Sequence, residues 1–188
     1  MNRLQWNEEE STKVEEADFF KESDGITYVR AKGHLTARVC PGLKSRLFAR
    51  LDSDPAVAAV FMDLASCEYM DSTFLGLIVG TQKRFSAAQA RAGGSTPARR
   101  IVLVGPNEIC VGLLRTLGVL GMVEIRAEGP AFPAELDAVS GGTKATAGLI
   151  LDAHEELSAL SDENKARFAA LSTALRSALD AEKSVDKA

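Results

Sequence analysis

Ser72 is the side chain whose type and setting offer the most chemistry. It sits in the run Glu68-Tyr69-Met70-Asp71-Ser72-Thr73-Phe74, where the pattern changes to helical spacing, so its hydroxyl is expected at a helix start. A hydroxyl there can satisfy free backbone N–H groups as a cap. It can also receive a phosphoryl group, whose charge a helix N-terminus favours. With a histidine and a carboxylate it could act as a nucleophile. That third use has little support. The two histidines are His34, which reads as a turn residue, and His154, which with Glu155 and Glu156 reads as a solvated helix face, and no Gly-x-Ser-x-Gly elbow is present. Thr73 is the secondary hydroxyl and reads as an ordinary first-turn threonine. Asp63 and Asp71 could form a metal or phospho-acceptor pair, but capping the ends of buried strands is the expected role. Cys40, Cys67 and Cys110 lack any CxxC spacing, so reduced thiols are expected and no metal site. Gly93-Gly94 lacks the spacing of a phosphate or dinucleotide loop. No cofactor and no catalytic activity are expected.

The elements that position Ser72 come from one domain with appendages. A chain of 188 residues can bury a core without staples, but two full domains would be crowded. With 46% hydrophobic and 26% charged residues, disorder throughout and fibrous repeats are both excluded. No apolar run reaches the ~18 residues of a membrane span, and the acid-rich start has no apolar signal region, so a cytoplasmic protein without membrane attachment is expected. Net charge is −4, unevenly spread: residues 1–24 hold eight acids and three bases (−5), 25–128 eight acids and thirteen bases (+5), and 129–188 ten acids and six bases (−4). A mildly basic centre between acidic flanks suits an acidic protein partner better than nucleic acid.

Residues 1–16 read as an acidic flexible arm. A strand over Ala17–Phe20, the turn Ser23-Asp24-Gly25 and the alternating run Ile26–Gly33 predict a hairpin. Gly33 turns the chain before His34-Leu35-Thr36, and Pro41 opens a helix to about Asp52 with the stripe Leu43, Leu47, Phe48 and Leu51. Ala56–Leu64 is almost continuously apolar, as a strand buried on both faces should be. A connection over 65–70 then leads to a helix from Ser72 to about Ala92, with Phe74, Leu75, Ile78, Val79 and Phe85 at helical spacing. After a loop over 91–100 come a strand at Ile101–Val104, a helix from Gly105-Pro106-Asn107 to Gly118, and a strand at Val123–Arg126. This is an α/β chain with a mixed β-sheet flanked by helices. Residues 129–143 read as a linker. Residues 144–183 read as a two-helix C-terminal extension, with stripes at Leu149, Ile150, Ala153, Leu157 and Leu160, then Phe168, Leu171, Leu175 and Leu179, and Ser161 as an N-cap. So much apolar surface must pack on the main domain, on its own pair, or on a second copy in a homodimer. Packing within the chain is preferred, because the linker reaches back easily.

Several of these segments resemble one family. Val60–Gly80 is similar to the signature of the STAS family, shared by sulfate transporters and anti-sigma factor antagonists, in which a buried strand ending Asp-Leu leads to Met-Asp-Ser-[Ser/Thr]-Gly-Leu-Gly at a helix start. Met70-Asp71-Ser72-Thr73-Phe74-Leu75-Gly76 matches it, with Phe74 in place of the usual glycine. Gly33-His34-Leu35-Thr36 resembles the family's Gly-x-Leu-[Asp/Thr] turn, and Val104–Gly118 its later strand-helix unit. The resemblance covers residues 17–128.

It implies an anti-sigma factor antagonist: a binding module in a partner-switching pathway, with an anti-sigma factor of serine kinase activity and a PP2C-type phosphatase as partners. It implies Ser72 as the phosphorylation site. Asp71, Ser72, Thr73, Phe74, Thr36 and His34 are then expected at the partner-binding surface, Phe74 reading first as a core residue. Where many phosphorylatable antagonists carry an acid in the Gly-x-Leu-Asp turn, this chain has Thr36. That departure and the extra C-terminal helices support the alternative, a structural STAS subunit of a larger, stressosome-like sensory assembly.

Overall fold

The computed structural model describes residues 18–53, 57–91, 100–139 and 144–185. The acidic arm (1–16), the strand starts at Ala17 and Ala56, most of the 91–100 loop and the Gly141-Gly142 pair lie outside the described residues.

A tight hairpin starts the domain. Strands β1 (Asp18–Ser23) and β2 (Ile26–Arg30) are joined by Asp24 and Gly25 at φ 52° and 76°, the two positive angles of a turn whose twist matches its strands. Strand β3 (Gly33–Leu35) leads into helix α1 (Cys40–Ser53), with Pro41 in its first turn. Strand β4 (Ala59–Asp63) pairs parallel with β2, and β5 (Cys67–Met70) pairs parallel with β3 in a separate two-stranded sheet. Helix α2 (Ser72–Arg91), β6 (Val102–Val104), α3 (Glu108–Thr116) and β7 (Glu124–Arg126) complete the alternation, and β8 (Asp137–Val139) returns to pair antiparallel with β1. The main sheet runs β7-β6-β4-β2-β1-β8, parallel from β7 to β2 and antiparallel at its β1 and β8 edge. Two readings of the sequence are corrected here: the connection over 65–70 contains a strand, and so does the segment read as a linker.

Period-two alternation gives the sheet two different faces. Val29, Val60, Met62 and Leu103 point into the main core, where they meet Leu43, Leu47 and Leu51 of α1, Phe74, Leu75 and Ile78 of α2, and Cys110 and Leu114 of α3. On the opposite face Tyr28, Phe61, Val102 and Val104 form a smaller cluster under Phe132 and Leu136. The segment after β7 thus covers the face that has no helices.

Two further helices follow, α4 (Ala147–Ser158), capped by the Thr146 hydroxyl, and α5 (Asp162–Val185), whose Ser161 hydroxyl accepts from the Asn164 N–H at 3.1 Å. They pack as an antiparallel pair, α4 lying against the outer side of α2, and Leu157 and Phe168 join the main core. The buried stripe of α5 is Asn164, Phe168 and Ser172, while Leu171 is exposed. No helix among the described residues is long and apolar enough to cross a membrane.

Candidate functional site

The start of α2 is held by Asp71, not by Ser72. One carboxylate oxygen of Asp71 accepts from the Phe74 N–H at 2.9 Å and the other from the Ala37 N–H at 3.0 Å. The Asp71 N–H in turn donates to the Leu35 carbonyl at 2.9 Å. A single side chain therefore caps the helix and ties it to the turn after β3 that carries Thr36. Asp63 also caps a strand end, accepting from the Ala65 N–H at 3.0 Å and from Arg30 Nε at 2.9 Å. Among the described residues no group of three or more His, Cys, Asp and Glu side chains could hold a metal ion.

With the cap supplied by its neighbour, the Ser72 hydroxyl bonds elsewhere. Its Oγ lies 2.9 Å from Nε2 of His154 on α4, and Nδ1 of the same ring lies 2.7 Å from the Ile150 carbonyl. A carbonyl can only accept, so Nδ1 carries a proton there, and in that tautomer Nε2 is the acceptor for the hydroxyl proton. The reading of His154 as a solvated residue is overturned: it is 2% exposed, its ring packed edge-on to Phe168. The distance is that of a nucleophile and its base. However, Nδ1 bonds a backbone carbonyl instead of a carboxylate, and neither residue lines the cavity nearby.

His34 plays a separate part. It is exposed, with Nε2 3.4 Å from the Glu68 carboxylate and its ring against exposed Tyr69, so the histidine that meets Ser72 is not His34. Asp71, Ser72, Thr36 and His34 converge at one end of the β3 and β5 pair, Ser72 and Thr36 half-buried. Thr73 and Phe74 turn inward and are buried, Phe74 completely, because an aromatic ring in the first turn of α2 faces the sheet.

Helix α4 reaches Ser72 because α2 lets it come close. A Cβ on Gly76 would lie 2.2 Å from the Ala153 carbonyl oxygen, so only glycine permits this approach. Ion pairs flank the seam: Lys44 of α1 to Asp152 at 2.7 Å, and Lys83 of α2 to Glu156. They border a cavity of about 380 Å³ between α1, α2 and α4. Buried Asn164 fastens the far end, its Nδ2 donating to the Leu117 carbonyl at 3.0 Å and the Leu157 carbonyl at 3.1 Å. The basic centre of the chain thus meets an acidic partner in its own C-terminal segment.

A family model described as the STAS domain matches residues 20–129. The chain belongs to the STAS domain family. No curated protein matches it. Among solved structures it is similar to the anti-sigma factor antagonist SpoIIAA in its unphosphorylated form, at 15% identity over 60% of this chain and 90% of that one, with a TM-score of 0.47. SpoIIAA in its phosphorylated form, a Bacillus cell fate determinant, is 17% identical over 60% of this chain and 93% of that one, with a TM-score of 0.46. A putative anti-sigma factor antagonist from Thermotoga maritima is 25% identical over 57% and 84%, with a TM-score of 0.45.

The STAS match ends before α4, so the contact between Ser72 and His154 joins the family domain to a segment outside it. The sequence carried one signal of this. From Ser72 to Gln82 no side chain is charged, and Gly76 and Gly80 stand one helical turn apart. A helix apolar all round is buried all round, and small residues at that spacing mark where another helix comes close. Within the STAS domain, Cys67 and Cys110 have their sulfurs 3.7 Å apart, both buried. The Cys67 thiol is held above its usual range by its hydrogen bond to Cys110 and by burial.

Proposed function

We propose that this STAS protein is an anti-sigma factor antagonist acting in the cytoplasm. It binds an anti-sigma factor that is also a serine kinase, is released when that kinase phosphorylates Ser72, and is reset by a PP2C-type phosphatase. One observation carries the reading: Asp71 does the capping, so the Ser72 hydroxyl has no duty in holding α2. Modifying a serine that capped its helix would remove the cap, whereas modifying this one leaves the start of α2 held by Asp71. A phosphoryl group adds about −1.5 to −2 charges and three acceptor oxygens, which a helix N-terminus tolerates. A docked partner does not tolerate it, because Glu68 and Asp71 already make this rim acidic. A loss of ~4 kcal/mol weakens binding about a thousandfold.

The test mixes the purified full chain with its cognate kinase. Ser72→Ala is expected to bind as the unmodified protein does, and Ser72→Asp about a hundredfold or more weaker, roughly 2.7 kcal/mol. Equal affinities for the two variants would remove the reading.

A second reading, a structural STAS subunit of a larger sensory assembly, is favoured by the cover that α4 places over Ser72 and by Thr36 where an acid is usual. Hydrodynamic size separates the two, a small monomer or dimer supporting the switch and a large complex the scaffold.

A further inference from the structure

We infer that the α4 and α5 pair is an intramolecular gate on Ser72, and that docking of the pair and phosphorylation of Ser72 exclude each other. The inference rests on the proposed role of Ser72 and adds its regulation. Phosphoryl transfer from ATP forms an Oγ–P bond, breaks the bond from phosphorus to the bridging oxygen, which leaves with ADP, and passes the hydroxyl proton to a base of the kinase and so to solvent. In the docked state the hydroxyl donates that proton in a hydrogen bond to His154 Nε2, 2.9 Å from Oγ. The phosphoester has no such proton to offer, and its oxygens need the space the imidazole fills. Rotating the ester outward leaves Nε2 without a partner in a ring 2% exposed, which opposes docking. By linkage, docking disfavours the phosphorylated form by the same factor as phosphorylation disfavours docking.

The seam is suited to opening. Glycine at position 76 meets backbone, and the flanking contacts are ion pairs between half-buried or exposed groups, Lys44 with Asp152 and Lys83 with Glu156. Leu157 and Phe168 anchor the pair in the main core, and around them α4 is held at the border by these ion pairs to α1 and α2. Opening uncovers Thr73, Gly76, Leu77 and Gly80 beside Lys44 and Lys83.

The experiment uses the full chain carrying Ser72→Cys, with and without Gly76→Ala, and follows alkylation of position 72 by iodoacetamide together with amide hydrogen exchange. The native thiols are buried and serve as the slow background. Gly76→Ala is expected to raise exchange in α4 and α5, to leave β2 and β4 protected, and to speed labelling of position 72 about tenfold or more. Should Gly76→Ala disturb the sheet, Asn164→Ala opens the pair from its far end and the comparison is repeated. Labelling that stays constant while α4 opens overturns the gate, as does α4 exchange that is unchanged in both variants. In the otherwise native chain, Ser72→Asp is expected to increase α4 exchange; a decrease would mean that His154 binds the anion, which also overturns it. The cognate kinase with ATP forms a separate arm. If neither the unmodified protein nor Gly76→Ala is phosphorylated while labelling still responds, the partner-switching reading fails and the gate stands.

Discussion

The two helical layers of this molecule are made from different materials. Helices α1 to α3 meet the sheet through leucine, valine, isoleucine and phenylalanine, all deeply buried. The α4 and α5 pair adds Leu157 and Phe168 to that core, but it also meets the domain through a glycine seam on α2, a buried histidine on Ser72, a buried asparagine on the Leu117 carbonyl and a border of ion pairs. Apolar burial is non-directional and survives small shifts, whereas hydrogen bonds and close backbone contact hold only in one geometry. The first layer therefore builds the domain, and under the gate proposed above the second comes off as a unit.

Matched truncations break this comparison most severely. Leu47 and Leu157 are both completely buried, so replacing either with alanine should cost about 2–5 kcal/mol. Leu47→Ala is expected to lower the denaturation midpoint of the whole domain. Leu157→Ala should appear in hydrogen exchange as loss of protection confined to α4 and α5. If it exposes β2 and β4 equally, the layers are one cooperative unit and the contrast is lost.

The neighbours Asp71 and Ser72 sharpen the contrast within one turn of helix. Asp71→Ala removes a cap with two backbone partners and should destabilise the domain by about 1–2 kcal/mol in denaturant titration. Ser72→Ala should leave that midpoint unchanged and loosen only α4, read by hydrogen exchange. The smallest effect is expected at the ion-pair border. A double-mutant cycle on Lys44→Ala and Asp152→Ala should yield no more than ~1 kcal/mol of coupling, further reduced by salt, since Asp152 is mostly exposed.

Much of the domain was legible in the residue order because its signals are local. The Asp24-Gly25 pair marks a hairpin, Pro41 a helix start, and the run around Asp71-Ser72 a strand-to-helix junction that also carries the family resemblance. Strand β5 was not legible: it has four residues, Cys67–Met70, and its partner β3 has three, too few for alternation to register. Strand β8 escaped for the same reason, its pairing with β1 joining segments more than a hundred positions apart. At the site, Ser72 could be picked out and His154 could not, since its neighbours Glu155 and Glu156 give that turn the look of a solvated face.

The order of residues by itself determined the fold class, the family and the position of Ser72 at the head of a helix, since each depends on spacing along one stretch of chain. Only the tertiary structure decided what that hydroxyl meets. The pairing with His154 spans 82 positions and exists because Gly76 lets two helices touch, and the tie from Asp71 to the Ala37 N–H spans 34. Contacts of that kind arise from distance in space, which sequence spacing does not encode.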